Sequence, residues 1–143
     1  MKLSTRARYG LRALIDLGVY SDMGVTSIQS IAQRQKISVS YLEQLMAKLK
    51  RAGFVESIRG AGGGYRLAEN GENFSVGEVL RVLEGNMEPV SCSGYQKENR
   101  CEDFDICVAK YVWKRINDSI TEAVDTITLG ELIREGRMKL QEK

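Results

Sequence analysis

"ISVSYLEQLMAKLKRAGFVESIRGAGGGYRL", residues 37–67, changes its apolar period half-way through. Up to Gly53 the apolar residues Leu42, Leu45, Met46 and Leu49 fall at helical spacing, with Ser38 or Ser40 as cap and Gly53 as stop. From Phe54 the pattern alternates through "FVESIRG", and "GYRLA" answers it beyond "GAGGG". Two short strands around a glycine turn make a β-hairpin. Just upstream, Thr26-Ser27-Ile28-Gln29 fits a capping box that opens a helix, "SIQSIAQRQ", burying Ile28, Ile31 and Ala32. Lys36-Ile37-Ser38 leaves room only for a turn. Two helices joined by a short turn and followed by a hairpin form a winged helix-turn-helix.

Further out, Ser4 caps a first helix reaching about Tyr20, ended by Ser21 to Gly24. Ser75-Val76-Gly77-Glu78 is a capping box for a helix through about Leu83, broken by Gly85 to Pro89. "FDICVAKYVWKRINDSITEAVDTI" predicts a long helix from Phe104. Its apolar stripe, Ala109, Trp113, Ile116, Ile120, Val124 and Ile127, has the spacing of a helix-packing seam. Thr128 opens a last short helix, with a frayed polar tail expected from Gly136. The class is mainly α with a small β-hairpin, and the chain divides into 1–85, 86–107 and 108–143.

Charge gives the motif a partner. Residues 1–66 hold eleven Lys/Arg against four Asp/Glu, a net +7, while 67–143 carry −5. A basic front beside an acidic rear suits a polyanion-binding half, although solvated faces also collect charge. The second helix of such a motif meets base edges through its N-terminal residues, here Ser38, Ser40, Tyr41, Glu43 and Gln44. Lys48, Lys50 and Arg51 fall further along, where phosphates are the natural partners. Arg59 flanks the hairpin tip and suits a narrow minor groove, with Arg66 placed to hold the backbone. The bland alternatives are a helical hairpin inside a core and an ordinary glycine turn.

Other classes find little support. No run of eighteen apolar residues suits a membrane span, and the start "MKLSTR" lacks a signal peptide's apolar stretch, so a cytoplasmic location is expected. There is no histidine, no GxxxxGK[ST] loop and no helix opened by "GAGGG", so an enzyme is not expected.

The three cysteines stand as Cys92-x8-Cys101-x5-Cys107, among hydrophilic residues. A disulfide between two of them is one reading. Zinc, which favours four ligands in paired knuckles, is a weaker one. An iron–sulfur cluster, which takes thiolates from loops at varied spacing, is a third.

"RYGLRALIDL", "VGEVLRVLEG" and "ITLGELI", together with the stretch quoted first, closely resemble the IscR-type family of bacterial winged-helix regulators. That family includes IscR, NsrR and CymR, and the resemblance runs from residue 1 to about 135. It implies a homodimer formed through the long helix and binding to palindromic double-stranded DNA. Ser38, Ser40, Tyr41, Glu43 and Gln44 would then serve the major groove, and Arg59 the minor groove. In the IscR and NsrR branches three cysteines of this segment hold a 2Fe–2S or 4Fe–4S cluster, whereas CymR lacks the trio. Likeness to the IscR branch implies Cys92, Cys101 and Cys107 as ligands and iron–sulfur assembly genes as targets. The chain departs from that pattern in its longer first interval and in Lys110, which stands where IscR has a histidine. Arg8 stands where NsrR takes a carboxylate. Glu98, Glu102, Asp103, Asp105, a water or a small thiol remain as fourth ligands, with Asp103 and Asp105 equally suited to capping the next helix.

Overall fold

Hydroxyl caps set the element boundaries. In the computed structural model, which describes residues 2–21, 24–93 and 101–143, Ser4 accepts the Ala7 amide and opens α1 (Thr5–Val19). Ser27 opens α2 (Ile28–Gln35) and Ser38 opens α3 (Val39–Arg51). Strands β1 (Val55–Ile58) and β2 (Gly64–Leu67) pair antiparallel, Val55 opposite Leu67. Capping boxes at Ser75 and Thr128 start α4 (Val76–Glu84) and α6 (Leu129–Gln141), with α5 (Lys110–Asp125) between them. Each cap satisfies an otherwise orphaned amide and is worth about 1 kcal/mol.

The cap of α2 lies one residue later than the sequence suggests. Thr26 is committed elsewhere: its amide donates to the Tyr65 carbonyl at 2.9 Å and its carbonyl accepts from the Tyr65 amide at 2.8 Å. This bridge lays the chain before α2 alongside β2, leaving Ser27 to take the Ser30 amide.

The core collects Leu14 and Leu17 of α1, Ile31 of α2, and Leu42, Leu45, Met46 and Leu49 of α3. Val79 and Leu83 of α4 and Leu129 and Ile133 of α6 complete it. α1 packs against α2, α3, α4, α6 and β2. Two glycines permit that crowding, because a Cβ at Gly10 would collide with Leu83 and one at Gly18 with Ile133.

Helix α6 runs on to Gln141 instead of fraying at Gly136. Gly136 lets it lie against Val19, and Arg137 donates to the Gly18 carbonyl at 2.9 Å and the Ser21 hydroxyl at 3.0 Å. These bonds occupy carbonyl and hydroxyl acceptors at the end of α1.

Helix α5 begins at Lys110, six residues after the expected start. Before it, the Phe104 amide turns back to the Cys101 carbonyl and the Ile106 amide to the Asp103 carbonyl, which are tight turns rather than a helix. The cap is Ala109, with no side-chain bond, so neither Asp103 nor Asp105 caps the helix. Its C-terminal end is fastened, with Asp125 accepting two bonds from Arg81 of α4 at 2.7 and 3.0 Å. Its apolar stripe is only partly covered within the chain. Trp113, Ile120 and Val124 are half-buried, whereas Ile116 and Ile127 are 37% and 40% exposed.

Gly10→Ala should lower stability by about 1–3 kcal/mol through overpacking against Leu83, despite alanine's better helix propensity. Gly62→Ala, at a site open to solvent, is the control. Urea midpoints that are equal for both variants would contradict the close approach.

Candidate nucleic-acid interface and cysteine segment

The turn between α2 and α3 is three residues, Lys36 to Ser38, and Lys36 takes a left-handed conformation at φ 58°. The Lys36 amide closes onto the end of α2, and the Ile37 amide donates to the Ala32 carbonyl at 3.1 Å. The turn thus delivers Ser38 directly to the start of α3. Ser40, Glu43 and Gln44 are exposed at i, i+3 and i+4, a single helix face. Ser38 is exposed as well, while Tyr41 is half-buried with its ring edge-on to Tyr9, centroids 6.3 Å apart. Lys50 and Arg51 are exposed toward the other end of α3, and Lys48 is half-buried.

At the hairpin tip Gly60 has φ +113°, and a Cβ at Gly63 would strike the Ile58 carbonyl. The tip therefore needs glycine for both conformation and space. A Cβ at Gly64 would strike the Thr26 carbonyl, so the bridge from the wing to the start of α2 also depends on glycine. Arg59 is exposed beside the tip. Arg66 is already engaged, donating to Glu56 across the strands at 2.8 Å.

Sequence reasoning missed a polar cluster behind this surface. Asp16 of α1, its side chain 2% exposed, pairs with Arg34 of α2 at 2.7 Å and accepts from Gln35 at 2.9 Å. The bond to Asp16 raises the Arg34 pKa above its ordinary value. The available signal was a lone acid on an arginine-rich helix, opposite a basic residue at the end of α2.

Cys92 lies in a single 3-10 turn, Ser91–Ser93, that packs against α5. All three thiols are free; Cys92 and Cys107 are half-buried and Cys101 is exposed. Among the described residues no three Cys, Asp or Glu side chains converge as a metal site. The donors match an iron–sulfur group in kind, being three unpaired thiols on one segment, though not assembled around a common point. Glu102, Asp103 and Asp105 are exposed, and Glu98 lies outside the described residues. Lys110 donates to the Phe104 carbonyl at 2.8 Å and stands 4.5 Å over the Phe104 ring. Its ammonium closes the turn that carries Cys107 and has no lone pair for a metal.

The segment leaves α4 at Glu84, whose carboxylate accepts from the Ser4 hydroxyl at 2.5 Å and the Ser4 amide at 2.9 Å. These bonds hold its pKa below the usual carboxylate value.

A family model described as Rrf2, an iron-dependent transcriptional regulator, matches residues 3–135. The chain belongs to the Rrf2 family. It is similar to the HTH-type transcriptional regulator IscR of Escherichia coli O1:K1, 36% identical over 133 residues, covering 93% of this chain and 80% of the relative. Among solved structures it is similar to CymR, the global cysteine regulator of B. subtilis, at 39% identity and TM-score 0.77, covering 94% of this chain and 98% of that one. IscR of T. potens matches at 41% identity and TM-score 0.76, covering 95% and 88%. This Rrf2 protein is thus a winged-helix transcriptional regulator, not an enzyme. Among the described residues no helix is long and apolar enough to cross a membrane.

Because the Glu84 pKa is lowered on folding, its contribution to stability is present above the unfolded value and lost as pH falls through the folded one. A carbon-detected titration should place the Glu84 midpoint below the ordinary carboxylate value, and Ser4→Ala should return it toward that value.

Proposed function

We propose that this Rrf2 protein binds palindromic double-stranded DNA as a homodimer. Its promoter occupancy depends on whether Cys92, Cys101 and Cys107 hold an iron–sulfur cluster, 2Fe–2S or 4Fe–4S. Its targets in this reading are iron–sulfur assembly genes. The observation that carries it is the set of three free thiols on a segment whose first turn packs against α5. Likeness to IscR proteins of Escherichia coli and T. potens supports it. When bound, such a cluster supplies a group that iron shortage, oxygen or nitric oxide destroys.

The protein's own residues provide the rest. Residues 1–85 bear the DNA-reading surface, 86–107 the thiols, and 108–143 the pairing helix with α6 folded back on α1. Pairing two copies of α5 would cover Trp113, Ile116 and Ile120, and with them Tyr111 and Val112, which are exposed in the single chain. Ser38, Ser40, Tyr41, Glu43 and Gln44 would meet the major groove, and Arg59 the minor groove. The turn at Cys92 presses on α5, Arg81 ties α5 to α4, and α4 packs on α1 and α3. Gathering or releasing the thiols therefore acts on α3 through packed elements. Two recognition helices must stand about 34 Å apart to read successive half-sites. The shift can be no larger than the difference in affinity between the two arrangements.

A second reading keeps the DNA-binding half and makes the thiols a redox pair without a cluster. The similarity to CymR, named a global cysteine regulator, favours it.

Protein purified without air should be brown, with iron and sulfide in comparable amounts, and Cys101→Ala should lose both. Operator affinity should then differ between loaded and cluster-free protein. A colourless, iron-free protein with a Cys–Cys bridge in aerobic samples would favour the second reading. At the DNA, Gln44→Ala should weaken the preferred sequence by about 1–3 kcal/mol and relax selectivity at one position. Lys50→Ala should weaken all sequences alike and lower the salt slope by about 1. Fluorescence anisotropy across a salt series separates these outcomes.

A further inference from the structure

A carboxylate removed from water is tolerated only when it is paired and hydrogen-bonded. Asp16 meets that condition entirely through the last two residues of α2. Arg34 donates through Nε at 2.9 Å and Nη2 at 2.7 Å, and Gln35 donates through Nε2 at 2.9 Å. The very next residues form the turn into α3.

The contacts continue beyond the ion pair. The Gln35 side-chain oxygen, Oε1, accepts from Arg12 Nε at 3.0 Å, and the Arg12 guanidinium stands 4.9 Å from the centre of the Tyr9 ring. Tyr9 in turn meets Tyr41, edge-on at 85°. A chain of five side chains, Asp16, Gln35, Arg12, Tyr9 and Tyr41, thus runs from the end of α2 to the first turn of α3. It bypasses the backbone turn and fixes both of its ends to α1. Satisfying Asp16 needs only Arg34 and Gln35, yet the contacts go on to Arg12 and Tyr9. Arg12 is exposed and Gln35 half-buried, and together they form the link.

We propose that Asp16, Gln35, Arg12 and Tyr9 are positioning residues that set the orientation of the DNA-reading turn of α3. They do so without touching base edges. The inference rests on the reading that Ser38, Ser40, Glu43 and Gln44 meet the major groove. Breaking the chain would let that turn tilt, which spoils base-edge contacts, whereas phosphate contacts tolerate the tilt better.

The test uses full-length protein and a duplex pool randomised over about 25 base pairs, enough for two half-sites one turn apart. A sequence enriched by wild type is compared with its scrambled version across a salt series. Gln35→Leu and Tyr9→Leu should each weaken the enriched duplex about tenfold, as expected for loss of one well-placed polar link. Scrambled-duplex affinity and salt slope should stay near wild type in both variants. Gln35→Leu also removes a donor from buried Asp16 and lowers the urea midpoint, so Tyr9→Leu, with no bond to that carboxylate, is the variant whose loss must not follow stability. Tyr9→Phe, which keeps the ring, should retain the enriched-duplex affinity.

Equal loss on both duplexes, or a lower salt slope, would overturn the proposal by making these residues phosphate contacts. Unchanged affinity in both leucine variants, or a loss in Tyr9→Leu that follows a fallen urea midpoint, would overturn it by reducing the chain to stability. A wild-type protein that enriches no sequence would overturn the base-reading premise along with it.

Discussion

The close approach of neighbours to α1 is the constraint on which the structure depends. Helices α2, α3, α4 and α6 and strand β2 all pack on this one helix, and only missing side chains at Gly10 and Gly18 make room for Leu83 and Ile133. A helix pays about 1 kcal/mol for each internal glycine. Here that loss is offset by bringing the two ends of the chain onto one core. Through α1, the helix that presents Gln44 and the helix that closes the C-terminus share the same packing.

Much of this was legible from local chemistry. Serine and threonine caps marked five helix starts, and the apolar spacing of Leu42, Leu45, Met46 and Leu49 named the inner face of α3 correctly. Most of the misjudged features share a physical origin, being decided by a residue distant in sequence. Thr26 loses its capping role because Tyr65 takes its backbone. The polar end of α6 stays helical because Gly136 and Arg137 find α1. Asp16 offered only a weak sign, a lone acid among arginines, because its partners lie eighteen and nineteen residues away. At the start of α5 the failure was local, with carboxylates present at Asp103 and Asp105 but the chain turning too tightly to use them as caps.

The surfaces for DNA and for the thiols differ in how much the fold prepares them. The face of α3 proposed to meet DNA is complete in a single chain: the turn, cap and exposed side chains are in place. Among the described residues the cysteine segment supplies donors without assembling them, and the chain shares its architecture with both a CymR and an IscR. The same division explains why periodicity reveals the DNA-reading half, while the thiol half depends on residue identity alone.

The bridge between Thr26 and Tyr65 has a mechanical consequence. A wing joined to the body only through its own strands would swing independently, and Arg59 could search along a groove. Stitched to the residue that precedes α2, the wing moves with the helix pair as a single lever. The separation between the exposed face of α3 and Arg59 at the wing is then a property of the protein. On the proposed reading it would act as a ruler that DNA has to match, and a duplex of different groove geometry would have to deform to fit it.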